Sequence, residues 1–356
     1  MRPTWLEINL AAITHNYELL RAHAPRARVI AVIKANAYGH GAVRVAKHLR
    51  DRGVNFFAVA TSGEAAELRR AGVEEPLLLL GALHPANAKD AAAARAIPTI
   101  TTAAAARAFA GAAGEAEVHL KVDSGMGRVG VAPAQLAELV REVEALGLHI
   151  GGIYTHFAVA DEDRQETERQ LELFLAAAAN LPRRYPLHAA NSAATLANVA
   201  TELDYVRPGL ALYGLSPDMK SSFGLEPALA WKARPTQVKK PPAGHGVGYG
   251  LTYRASGDEW IATLPFGYAD GFFRALSNRG WVRYAGGYAR VVGRVSMDQT
   301  TVSLPKPVKQ GEVFTVVSPD MDERTSLTGR ARQLDTINYE LATALSARLP
   351  RVYLEE

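Results

Sequence analysis

The chain has no cysteine among its 356 residues. Disulfides, thiolate nucleophiles and cysteine-type zinc sites are excluded, and nothing else in the sequence asks for a metal. It also has no run of five or six like charges. A net charge of +4, scattered over this length, gives no footprint for nucleic acid. No stretch reaches membrane-spanning length without charge, and the opening Met1-Arg-Pro-Thr-Trp-Leu-Glu7 lacks the apolar core of a signal peptide. A soluble cytoplasmic protein with no membrane partner is the expectation. Apolar residues are plentiful at 48%, enough for one large domain and a smaller one.

From about residue 28 to 210, short apolar runs alternate with helical patterns. The runs are 29–33, 56–60, 77–80, 98–101, 117–122, 150–157, 187–190 and 205–206. Between them lie helical stripes such as Leu136, Leu139, Val140, Val143 and Leu146, closed by Gly147. About eight β-α units suit a (β/α)8 TIM-like barrel within an α/β class, although an open doubly wound sheet alternates too. After about residue 225 the alanine-rich helices stop. Short β-like runs follow at 236–239, 260–264, 282–284, 289–295, 300–304 and 312–317, then a helical stretch at 336–349. The expected organisation is a barrel over 1–225 and a mostly-β domain over 226–356. Residues 4–9 alternate like a strand with no place in an eight-strand barrel, so they are expected to join the second domain.

In a parallel barrel the active site lies at the C-terminal strand ends. The first run ends in Lys34, where a partly desolvated amine can form a Schiff base with an aldehyde cofactor. Tyr38 follows one turn later, before a glycine-flanked helix start that suits a phosphate. The fifth run ends in Lys121-Val-Asp-Ser-Gly-Met-Gly-Arg128, the sixth in Tyr154-Thr-His156-Phe157, the seventh in His188-Ala-Ala-Asn191-Ser192, the eighth in Arg207-Pro-Gly209. Each has a plainer role as well. His156 fits a hydrogen-bonded core histidine, Arg207 a surface strand end, Asn191-Ser192 a helix cap, and Gly244–Gly250 a hairpin turn. What sets the strand-end residues apart is that Lys34, Arg128, His156, Ser192 and Arg207 converge on one mouth.

Nine segments in order resemble the alanine racemases: AVIKANAYGHG, LKVDSGMGRVG, YTHFAVADE, HAANSAA, VRPGLALYG, GYGLTYRA, LPFGYADGF, GRVSMDQ and LDTINYE. Gly248 and Ser296 depart from the residues common there, serine and cysteine, at positions with no expected chemistry. The resemblance implies interconversion of L- and D-alanine with pyridoxal 5′-phosphate on Lys34, supplying D-alanine as a peptidoglycan precursor. Lys34 and Tyr249 would be the two bases. Tyr38, Ser192 and Tyr339 would bind the cofactor's phosphate, with backbone at Gly209 and Leu210, and Asn191 would be a further cofactor-binding residue. Arg207 would face the pyridine nitrogen with His156 nearby, and Arg128 the ring hydroxyl and the substrate carboxylate. Lys121 matches a position that is carbamylated in similar enzymes. Tyr268, Met297 and Asp298 would shape the substrate site. The resemblance also implies a homodimer in which Tyr249, Tyr268 and Met297 reach the partner's barrel.

Three other readings share parts of this pattern: an amino-acid racemase of broader range, a non-catalytic protein that binds the same cofactor, and a decarboxylase of basic amino acids. GYGLTYRA and GRVSMDQ speak against the second, since such proteins lack the second domain. The missing cysteine speaks against the third.

Overall fold

Apolar runs too short for helices pair in sequence order to form the first sheet. Residues 2–355 are described by a computed structural model. The parallel strands are Phe57–Val59, Leu77–Ala82, Ile97–Ile100, Glu117–Lys121, His149–Tyr154, Leu187–His188 and Tyr205–Val206, preceded by a first strand in two pieces, Arg28–Val29 and Ala31–Val32. The first piece pairs with Tyr205–Val206 and the second with Phe57–Val59. Across the break, Ile30 N–H donates to the Val206 carbonyl and Ala31 N–H to that of Phe56. One strand therefore serves both neighbours, and the sheet closes into an eight-strand (β/α)8 barrel. The closed ring removes the open-sheet alternative. Ala31, Val32 and Phe57–Val59 are buried throughout, as a parallel sheet covered on both faces requires.

Helices between the strands turn one apolar stripe inward. In Leu136–Ala145 the buried residues are Leu136, Leu139, Val140 and Val143. Gly147, at φ 75°, takes the left-handed conformation that ends this helix and turns the chain into the next strand. This unit comprises Thr14–Leu212 and Ser216–Leu225.

The second unit comprises residues up to Ile13, Tyr213–Leu215 and the chain from Glu226. Its sheet has the order Gln237–Lys239, Trp260–Leu264, Thr300–Leu304, Gly287–Val291, Trp281–Tyr284, Phe314–Val317, Leu229–Ala233, Thr4–Asn9 and Arg351–Leu354. Thr4–Asn9 lies antiparallel to Leu229–Ala233 and parallel to Arg351–Leu354. Thr4 fixes this corner: its hydroxyl donates to the Lys232 carbonyl and accepts from Trp231 Nε1.

Two differences from the sequence reading stand out. The stretch 336–349 is not one helix: only Asn338–Thr343 is helical, and Leu327–Gln333 forms a separate helix before it. The break comes where Ser346 N–H leaves the helical pattern and donates to the Asp270 carbonyl. The strands Leu229–Ala233 and Arg351–Leu354 have weak local signals. The first is alanine-rich and the second half-exposed, so pairing partners decide both. Among the described residues no helix is long and apolar enough to cross a membrane.

Candidate active site

The Ile33-Lys34 step leaves the first barrel strand and enters a short turn. The sequence asks for one helical turn before Tyr38. The turn is there, but its hand is left: Ala35, Asn36, Ala37 and Tyr38 have φ of 50°, 53°, 54° and 50°. Such a conformation costs roughly 1–2 kcal/mol per residue. Specific hydrogen bonds offset it. Ala35 N–H donates to Glu64 Oε1 at 2.7 Å, and Asn36 Oδ1 accepts from Ala42 N–H at 2.8 Å at the start of Ala42–Arg50. Glu64 was missed as a site residue. Its signal was present in Thr61-Ser-Gly-Glu64, a reciprocal capping box whose glutamate has an oxygen to spare for the lysine turn.

Five basic groups follow strand ends at the same mouth. Burial, and next the charge of Arg128, push the Lys34 amine below the usual lysine range, while Glu64 partly opposes them. Lys121 closes the fifth strand and is buried. Burial, with Arg207 and Arg128, lowers it to about 8, and its ammonium lies over the Tyr154 ring. Arg128 stands exposed on the following loop. That loop is pinched shut by Asp123, whose N–H donates to Val131 and whose carboxylate accepts from Gly125 and Gly127. His156 is pushed well below the ordinary histidine range, by burial first and then Arg207.

Arg207 is fully buried, and burial lowers it to about 10, so it stays charged at neutral pH. Its bonds go to carbonyls and imidazoles: Nη2 donates to Thr155 O at 2.8 Å, to Ala189 O at 3.0 Å and to His156 Nδ1 at 3.3 Å, and Nη1 to His188 Nδ1 at 2.8 Å. A guanidinium only donates, so His188 Nδ1 must accept and its proton sits on Nε2. That Nε2 lies 2.9 Å from His119 Nδ1, and His119 Nε2 lies 3.5 Å from Glu117 Oε1. Burial holds both histidines below their usual range, hence neutral. The result is a directed row of imidazoles through the barrel interior that fixes the plane of Arg207. His188 further stacks on Tyr154 at 4.7 Å. His119 and Tyr154 read in sequence as ordinary strand residues, so their part in this row was not legible.

Beside this cluster is a polar cradle. A Cβ built on Gly209 would sit 2.6 Å from the Tyr38 hydroxyl, so only glycine lets that tyrosine lie there. Ser192 Oγ accepts from Gly209 N–H at 2.9 Å and Ala211 N–H at 3.2 Å, which leaves its own proton to donate elsewhere. Asn191 spends its side-chain oxygen on Ala194 N–H as a helix cap, and so sets where Ser192 begins. Leu210 opens the turn Leu210–Tyr213 behind them. Two hydroxyls and a glycine backbone in one place fit the phosphate of pyridoxal 5′-phosphate, and a partly desolvated lysine fits its aldehyde.

The second unit carries the other candidates. Gly246–Val247 and Tyr253–Arg254 form a hairpin, so the plain hairpin reading of Gly244–Gly250 holds. Tyr249 stands at its tip and is 73% exposed. A Cβ on Gly250 would meet the Arg294 guanidinium, which places that cation against the tip. Tyr268 and Met297 are exposed on two loops joined by backbone bonds, Tyr268 N–H to Ser296 O and Ala269 N–H to Met297 O. Asp298 follows on the surface, and Tyr339 is half-buried in Asn338–Thr343.

The alanine racemase N-terminal domain family matches residues 8–217, and the C-terminal domain family matches 228–353. The chain belongs to the alanine racemase family. It is 43% identical to the alanine racemase of Desulforamulus reducens, over 99% of both chains. It is 40% identical to that of Symbiobacterium thermophilum, over 99% of this chain and 97% of the relative. Among solved structures, the alanine racemase of Streptomyces lavendulae superposes with a TM-score of 0.92 at 36% identity, covering 100% of this chain and 98% of that one. The enzyme from E. faecalis superposes at 0.91 with 38% identity, covering 99% and 98%. Both halves of the fold are therefore those of alanine racemases.

Proposed function

We propose that the chain interconverts L- and D-alanine, with pyridoxal 5′-phosphate held through Lys34. The observation that carries this reading is the cationic mouth around Lys34 beside the Tyr38–Ser192–Gly209 cradle. The bound cofactor supplies delocalisation of negative charge from the substrate Cα. Everything else falls to the chain. Tyr38, Ser192, Gly209, Leu210 and Tyr339 bind the phosphate, with Asn191 setting Ser192. Arg207, buried and still charged, would face the ring nitrogen of the bound cofactor and deny it a proton, which would limit side reactions. Arg128 orients the substrate carboxylate. Tyr268, Met297 and Asp298 wall the side-chain pocket.

Racemisation needs proton exchange on both faces of Cα. The Lys34 amine would exchange the proton on one face. Tyr249 of the partner chain serves the other, in a homodimer whose sites each combine two chains. Exposure of Tyr249 at a hairpin tip in the second unit supports that division. A narrow product range follows from Tyr268 and Met297 as walls of that pocket. Incubating the holoenzyme with a panel of L-amino acids should give D-alanine far faster than any other D-isomer. Comparable rates on serine or lysine would assign the broader racemase instead, and no racemisation of any of them would leave a cofactor-binding protein.

Lys121 is proposed to carry a carbamate. Its neutral amine attacks CO2, forms an N–C bond and releases one proton, which replaces a crowded cation by an anion facing Arg128. A pKa of about 8 leaves a useful neutral fraction at physiological pH. The protonated amine does not react, so occupancy should fall as pH drops below about 8. Native mass spectrometry with labelled bicarbonate should show one CO2 per chain, lost in Lys121→Ala. An unmodified Lys121 at pH 8 in saturating bicarbonate would contradict this.

A further inference from the structure

Asp270 is a buried carboxylate on the turn that carries Tyr268. Arg2 reaches it with both terminal nitrogens, Nη1 to Oδ1 at 2.8 Å and Nη2 to Oδ2 at 3.0 Å, and Arg348 Nε donates to Oδ1 at 2.7 Å. Gly267 N–H donates to Oδ2 at 3.0 Å. Four hydrogen bonds thus compensate the buried charge. The two arginines differ in what else they hold. Arg2 turns back to the Pro265 carbonyl, at the base of the same turn. Arg348 extends its Nη2 to Asp298 Oδ1 at 2.7 Å, on the neighbouring loop beside Met297.

One guanidinium therefore bridges the turn bearing Tyr268 and the loop bearing Met297. Below the bridge the turn is rigid: Phe266 and Phe272 pack edge to face at 5.0 Å, with Trp231 against Phe266. Glycine at 267 lets the two loops touch, since a Cβ there would collide with the Ser296 and Met297 carbonyls. Above it, Tyr268 and Met297 stand exposed, and their side chains are not fixed by the core. The spacing of those side chains depends on how the loops are held at their outer end.

We propose that Arg348 is a positioning residue whose bridge between Asp270 and Asp298 sets the gap between Tyr268 and Met297, and so the size of substrate side chain the enzyme accepts. This rests on the reading that Tyr268 and Met297 wall the alanine pocket. The fork of an arginine is required, because a lysine ammonium is a point charge that cannot serve two carboxylates with the same geometry. Arg348→Lys leaves Asp270 paired with Arg2, so the fold is retained.

The test measures the ratio of kcat/KM for 2-aminobutyrate to that for alanine. One methylene in a fitted pocket is discriminated by roughly 10–200-fold. Arg348→Lys should raise the ratio by about tenfold, within that range. Asp298→Asn strips the charge from the bridge's exposed acceptor and so weakens it, and should shift the ratio the same way to a smaller degree, which covers a failure of the first variant to fold. Arg2→Lys weakens the same buried carboxylate without touching Asp298, and should lower thermal stability with the ratio unchanged. Hydrogen exchange in the cofactor-free protein should quicken at 266–271 and 296–299 in Arg348→Lys. A ratio unchanged in Arg348→Lys and Asp298→Asn overturns the proposal, as does an equal rise in Arg2→Lys, which would mean general loosening. A wild-type protein that does not racemise alanine at all would instead sink the functional reading.

Discussion

Lys34→Ala is expected to abolish racemisation and to lose covalent attachment of the cofactor while keeping the fold. The amine sits at the end of the first barrel strand, on a left-handed turn maintained by Glu64 and Asn36. Burial and the charge of Arg128 already hold it below its ordinary range. Neutralising a cation in that setting removes a repulsion, so thermal stability of the cofactor-free protein should be equal to wild type or higher. The check is borohydride reduction followed by peptide mass mapping. In wild type the reduced cofactor should map to Lys34; in the variant no lysine should carry it. A cofactor fixed to another lysine would show the assignment to be wrong.

Tyr249→Phe is expected to bind cofactor through Lys34 as wild type does, and to lose racemisation by the roughly 10²–10⁴-fold typical of a missing general base. The loss should be asymmetric. In deuterated water, exchange at Cα should survive better for the enantiomer whose proton faces Lys34, because that face keeps its base. The ring remains in the variant, so packing at the hairpin tip is unchanged and only the hydroxyl is tested. Equal loss of exchange from both enantiomers would point to Tyr249 as a binding group rather than a base.

Much of this was legible in the sequence because barrel chemistry sits where apolar runs stop. Lys34, Lys121, His156, Ser192 and Arg207 each follow such a run, and the closed sheet brings those strand ends to one mouth. The first strand's double pairing was not legible, since a break at Ile30 leaves no mark in an apolar run. Nor was the hand of the lysine turn. Alanine and asparagine are small enough to accept it, but nothing local demands it; Glu64, thirty residues on, supplies the hydrogen bond that does. The His188–His119 row escaped for a related reason: a histidine in a strand announces neither its tautomer nor its partner, and both follow from Arg207 being a pure donor. In the second unit the Asp270–Arg348–Asp298 bridge joins residues far apart in sequence, which only the folded sheet relates.

The measurement that tests the two-chain site most directly mixes two inactive proteins. Lys34→Ala retains Tyr249, and Tyr249→Phe retains Lys34. Under conditions of proven subunit exchange, about half of the dimers should be mixed, and each mixed dimer should contain one intact site. Racemisation should then recover to about a quarter of the wild-type level, provided the sites act independently. No recovery, with exchange demonstrated by mass-labelled subunits, would place both bases on one chain and contradict the shared site.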